Sequence, residues 1–201
     1  MRLRTLTPTC AALAVMLGIP TLAARAASEE TPLTLTAARV TVEGTSNVHD
    51  WTASTTAVLL TAVEMAGSEG DVLQEALRPG ALKAFDIRIA AKGLTSPREG
   101  IDKNMHKALK VEAHPHITFR LRALEPSGAG YKGAGLLTIA GVEKEVVLDL
   151  SVLPKDGALA VTGTTDLLMT DFGVKPPTAM LGMVKASPKV TIRLDATIAG
   201  N

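Results

Sequence analysis

Three of the chain's four histidines, His106, His114 and His116, fall within eleven positions in DKNMHKALKVEAHPHITFRL (102–121). Imidazoles this close are raw material for a zinc or haem site. The fourth, His49, stands beside Ser46 and Asp50 in SNVHDW (46–51), the residue types of a nucleophilic triad. Spacing weakens both readings. His114 and His116 share a strand face, but His116 has the parity of the polar Thr118 and Arg120 and so points to solvent. His106 follows Met105 and lies about 100° around a helix from it. A zinc site needs three or four convergent ligands with oriented rings, and nothing else in the sequence supplies them. Triad members usually come from separate elements, whereas His49 and Asp50 read as turn residues before a strand opening at Trp51. The chain has no G-x-S-x-G, P-loop or dinucleotide fingerprint. No catalytic residue, metal ligand or cofactor is assigned.

The elements that would position these residues are mostly strands. FDIRIA puts Phe85, Ile87 and Ile89 on one face, and ITFRLRA puts Ile117, Phe119 and Leu121 there. KEVVLDLSVL alternates Val146, Leu148, Leu150 and Val152 with polar or exposed positions. KVTIRLDATI does the same with Val190, Ile192, Leu194 and Ile198. One dry and one wet face is the antiparallel habit. Runs at 33–44, 51–65, 131–139 and 159–169 complete a set of eight, although 51–65 and 131–139 carry apolar residues on both faces. Short turns at Ala140–Gly141 and over 154–157 suit hairpins, so the chain reads as one all-β domain, a sandwich or a closed barrel. The exception is helical: Ile101, Met105, Ala108 and Leu109 recur at helix spacing, stopped by Pro115. Ser96 and Glu99 have capping-box spacing, although Gly100 favours a start at Ile101. This helix, between strands three and four, is expected to pack over one barrel end.

The first 26 residues belong to a different category. Arg2 and Arg4, an apolar run from Ala11 to Ile19 and the small residues around Ala24 and Ala26 follow the order of a cleavable secretory signal. The run is short for a bilayer span, so cleavage after Ala26, a periplasmic or secreted location and no membrane-spanning segment are expected. Cleavage removes Arg2, Arg4 and Arg25, leaving 18 of 21 basic residues against 20 acidic. No basic stripe remains for a nucleic-acid backbone, and Cys10, the only thiol, leaves with the signal.

Four stretches then carry a resemblance: GTSNVHDWTAS (44–54), IDKNMHKALKVEAHPHITF (101–119), GLLTIAGVEKEVVLDL (135–150) and TDFGVKPPTAMLG (170–182). In order and spacing the chain resembles the YceI-like proteins over about residues 33 to 199. The resemblance implies an exported bacterial protein, with residues 27–201 forming an eight-stranded antiparallel lipocalin-like β-barrel and no catalytic residues. It also implies a ligand held inside: a polyisoprenoid, an isoprenoid quinone or another long-chain amphiphile. Strands of about fifteen residues make a barrel roughly 35–40 Å tall, which suits an extended chain. The residues expected to meet such a ligand are Phe85, Ile87, Ile89, Met105, Leu109, Phe119, Leu121, Leu148, Leu167, Phe172 and Ile192. Phe172 is expected in a loop covering one barrel mouth. Two rival classes stay open: a solid-core barrel that docks a protein, and a metal or haem carrier using His49, His106 and His114. Homodimerisation is also open.

Overall fold

The computed structural model describes residues 32–67 and 70–201, so the expected leader lies outside the described residues. The strands are β1 (Leu33–Ser46), β2 (Trp51–Thr55), β3 (Val58–Met65), β4 (Leu82–Ala90) and β5 (His116–Ser127). They continue as β6 (Gly130–Ile139), β7 (Val142–Lys155), β8 (Ala158–Leu168), β9 (Thr178–Ala179) and β10 (Val184–Gly200). Hydrogen-bonded neighbours run β2-β1-β10-β8-β7-β6-β5-β4-β3, and β9 pairs with the start of β10. Only Thr56 and Ala57 separate β2 from β3, so the order returns on itself as an eight-strand antiparallel ring. One seam interrupts it. β1 and β3 lie side by side, with Cα atoms within 8 Å, but share no ladder.

The expected continuous strand over 51–65 is therefore two strands, and the break has a local cause. Thr55 Oγ1 accepts the Ala57 N–H at 3.0 Å, and the Thr56 carbonyl accepts the Val58 N–H at 2.9 Å. The bond from Ala57 also gives a partner to the hydroxyl of Thr55, a buried polar side chain. Ahead of the break, Ser54 exchanges backbone bonds of 2.8 and 3.1 Å with Thr95, which covers part of the free edge of β2.

Period-two alternation places the walls as the sequence requires. Phe85, Ile87 and Ile89, then Ile117, Phe119 and Leu121, and the alternating apolar sets of β7 and β10 all face the interior. The two faces the pattern left open are now assigned. Trp51 and Val58 point inward while Leu59 is 62% exposed, and Gly133, Leu137 and Ile139 point inward from β6. The outer face carries ion pairs such as Lys132–Asp149 (2.7 Å), Arg193–Glu43 (2.9 Å) and Arg120–Glu143. Exposed pairs of this kind contribute about 0–1 kcal/mol each, so they mark the wet face more than they hold the barrel.

Two helices cover the ends, where one was expected. α1 (Val72–Ala76) is capped by Asp71, whose carboxylate accepts the Leu73 N–H at 2.9 Å. Its Val72 and Leu73 side chains lie against the backbone at Gly200, the end of β10. α2 (Glu99–Ala108) joins β4 to β5 at the expected place, but its start differs from both sequence readings. Ser96 does not cap it. Instead Asp102 reaches back to accept the Ser96 N–H at 2.7 Å. The helix also ends ahead of Pro115, where Lys110 turns to φ 54°. Met105 anchors it, buried with Leu94, Val111 and Ile117.

Inward glycines set how closely the walls approach. A Cβ at Gly135 would stand 2.6 Å from the Phe119 ring, and one at Gly163 would stand 2.7 Å from Leu150 Cδ2. Gly135→Ala should therefore lower stability by about 1–3 kcal/mol in urea titration. Gly100→Ala, in α2 with nothing within 4 Å, should raise it by up to about 1 kcal/mol. Equal effects at the two sites would show that the interior has slack at Phe119.

Candidate functional site

The barrel is hollow. Its interior holds a cavity of about 210 Å³ at the α2 end and another of about 150 Å³ toward α1. Val40, Ile89, Leu137 and Ile192 line both, so the two cavities adjoin at a waist formed by these side chains. The inward side chains of β7 are only half-buried although they face inside, because the lumen leaves them without packing partners. All eleven residues singled out from the sequence stand on this wall. Phe85, Ile87, Phe119, Leu121 and Leu148 line the inner cavity; Met105, Leu109, Leu167 and Phe172 line the outer one; Ile89 and Ile192 are at the waist. Phe172 closes a 3₁₀ turn after β8 and is buried among Ala140, Leu167, Val174 and Val190.

The two ends differ in chemistry. The inner cavity is lined by apolar side chains and Gly133, with Thr165 the one polar residue. Ala76 from α1 and Leu77 at its C-terminal end close over it beside the buried Leu33 and Leu159. The outer cavity gathers its polar residues at the rim: Ser46 and His49 from the β1–β2 turn, Asn104 from α2 and Thr178 from β9. Ser46 is committed to its turn, donating to the His49 carbonyl at 2.8 Å and accepting from the Val48 and His49 N–H groups. The half-buried Asn104 amide has no hydrogen bond among the described residues, and its atoms are not sealed from solvent. Sequence reading missed Asn104, yet the signal was present. It is the polar position on the helical face that carries Ile101, Met105 and Ala108.

The histidines hold the framework around this end. His106 donates from Nε2 to the Leu94 carbonyl at 2.8 Å, tying α2 to the loop after β4. The Arg98 guanidinium, which can only donate, lies 2.9 Å from His49 Nε2. His49 Nε2 therefore accepts this bond, and Nδ1 donates to the Asp50 carbonyl at 2.9 Å. The His114 ring covers Gly141, the turn glycine at φ 82° between β6 and β7, and His116 is exposed. Among the described residues no three His, Cys, Asp or Glu side chains converge on a point that would hold a metal. Ser46 and Asp50 present only backbone-directed bonds to His49, which is not a triad arrangement.

Ring topology, helical lids and an apolar channel define a lipocalin-like barrel with room for a guest. The chain belongs to the YceI-like domain family, whose model matches residues 33–198. Solved structures share the fold at low identity. BcnA from Burkholderia cenocepacia superposes with a TM-score of 0.62 at 15% identity, over 81% of this chain and 96% of that one. A polyisoprenoid-binding domain from Saccharophagus degradans gives 0.58 at 9% identity, over 86% and 100%. A YceI protein from Campylobacter jejuni gives 0.50 at 19%, over 72% and 84%. No curated protein matches the chain in sequence.

Because each histidine is engaged in structure or faces solvent, replacing His106, His114 and His116 together by Gln should leave uptake of an apolar fluorescent probe within a few-fold. Zinc bound one-to-one by the parent, and lost with probe uptake in the triple variant, would reverse this assignment.

Proposed function

We propose that the chain binds one long-chain amphiphile, a polyisoprenoid or isoprenoid quinone or a related lipid, with its tail in the lumen and its head at the α2 rim. The carrying observation is the pair of adjoining cavities, apolar at the waist they share and with their polar residues gathered at the α2 end, Thr165 excepted. Together the two cavities reach the low end of the roughly 300–1,000 Å³ usual for small-ligand sites, but in a long narrow form. Such a wall selects for apolarity and slenderness. A head group bearing a carbonyl or hydroxyl would find the free Asn104 amide at the mouth, where one neutral hydrogen bond is worth about 1 kcal/mol. The Saccharophagus relative's polyisoprenoid binding supports this ligand class. Because Ser46 and His49 at the rim are engaged in bonds to the β1–β2 turn and to Arg98, the role we infer is carriage or storage. The leader pattern of the first 26 residues supports export to the periplasm.

Lipid extraction and mass spectrometry of protein purified from its own host test this reading directly. A parent that carries no lipid and takes up no isoprenoid quinone in vitro would rule it out. Ile87→Trp refines the test, because position 87 faces the inner cavity alone. The indole should fill the inner cavity, lower affinity for long-tailed quinones at least tenfold and leave short-tailed ones within a few-fold. Since the new ring enters empty space, its cost should stay below the roughly 1–3 kcal/mol of overpacking a filled core. Export predicts a mature N-terminus near Ala27 by N-terminal sequencing; a start at Met1 would contradict it.

A further inference from the structure

The rim carries a feature that ligand binding does not use. β9 and the start of β10 form a small hairpin whose tip is Met180-Leu181-Gly182, all at positive φ (50°, 55° and 89°). This backbone holds Leu181 fully out in solvent, with Met180 and Met183 each about two-thirds exposed. Val48, 64% exposed, follows Asn47, which is bonded to this hairpin. Asn47 makes that junction: its amide donates to the Met183 carbonyl and accepts the Lys185 N–H, both at 2.8 Å. Exposed large apolar side chains gathered on one projection, rather than scattered, mark an interaction site. The αL conformation at two non-glycine residues is also disfavoured, so the tip is held against its local preference.

Charge identifies the partner. Between Asp171 and Asp195 the chain carries Lys175, Lys185, Lys189 and Arg193 and no acidic residue. Lys189 and Arg193 are paired with Asp166 and Glu43 on the barrel wall. Lys175 and Lys185, which flank the tip, have no acidic partner among the described residues. We propose that this hairpin docks the barrel on an anionic phospholipid surface, with Met180, Leu181, Met183 and Val48 entering the interface and the two lysines meeting head groups. Apolar side chains flanked by basic ones are the pattern of interfacial binding. A second copy is a poorer fit, because a two-fold contact would bring like charges together. Pro177, Thr178 and Val184 belong both to the hairpin region and to the cavity wall. Docking therefore places the polar rim of the lumen at the surface where a long-chain amphiphile is dissolved. That last step rests on the ligand reading above; docking itself does not.

Flotation of the purified protein with vesicles tests the proposal, using phosphatidylglycerol–phosphatidylcholine against phosphatidylcholine alone. The parent should float with the anionic vesicles and be released by salt. Replacing Met180, Leu181 and Met183 together by Ser should weaken partitioning on the order of 100-fold. Lys175→Gln with Lys185→Gln should weaken it about 10–30-fold. Neither set lines the lumen, so quinone uptake from detergent micelles should be unchanged in both. A parent indifferent to both vesicles, or a triple variant that floats like the parent, would overturn the proposal. So would a parent dimer that the triple substitution dissociates without any vesicle binding. A protein that floats as expected but takes up no quinone from micelles would keep the docking surface and sink the ligand reading.

Discussion

A ladder of backbone hydrogen bonds, complete but for the β1–β3 seam, sets the width of this interior before any side chain does. Once eight strands close, their tilt and stagger fix how far apart opposite walls stand. The side chains inherit that space and either fill it or leave it hollow. Here the inward positions carry aliphatic residues, the rings of Trp51, Phe85, Phe119 and Phe172, and the glycines at 133, 135 and 163. With so few rings the walls do not meet along the axis, and a channel remains. The same glycines are not simply slack. Gly135 and Gly163 give up their Cβ to the Phe119 ring and the Leu150 branch, so local contact is tight while the axis stays open.

A closed ring would still be a tube open at both ends, and the ends are where the chain departs from strand geometry. α1 spans only Val72–Ala76, yet it covers the dry end by lying across Gly200 and adding Ala76 and Leu77 to the wall. At the other end α2 is heavier and is tied down by Met105 in the core and by the bond from His106 to the Leu94 carbonyl. The contrast gives the lumen a direction. A molecule entering tail-first leaves its polar end beside Asn104, because the inner cavity offers Thr165 as its one polar side chain. Burying a polar head there would cost roughly 1–3 kcal/mol or more for each unsatisfied group. Orientation thus follows from desolvation, without a dedicated head-group pocket.

The parts of this architecture legible in the sequence were those where one physical effect acted alone. Strands with one wet face announced both their existence and their inward side, and those four runs supplied most of the wall residues now seen in the lumen. The run over 51–65 did not. Its apolar residues occupy both faces, and its break depends on a bond from Ala57 N–H to a threonine hydroxyl that no periodicity reveals. α1 is too short for a 3.6-residue period to emerge from five residues. The start of α2 was misread because Ser96 has capping spacing while Asp102, six positions later, makes the bond. Asn104 was overlooked for a different reason: a search for apolar wall residues discards the polar member of the same helical face.

The histidine-rich stretch shows why residue type alone misleads at a barrel rim. Imidazoles gather where chain direction changes, since a ring that donates, accepts and packs serves turns as well as it serves metals. His106 fastens a helix, His49 mediates between Arg98 and the Asp50 carbonyl, and His114 shields a glycine turn. These are three separate tasks with three separate directions, whereas coordination demands a common focus. What their work has in common is the position of the lids and turns around one opening. By holding α2 and the β1–β2 turn in place, they fix Asn104 and the hairpin clamp at Asn47 relative to the lumen. The chemistry first suggested by their spacing is thus replaced by a mechanical one, and it acts on the same end of the barrel.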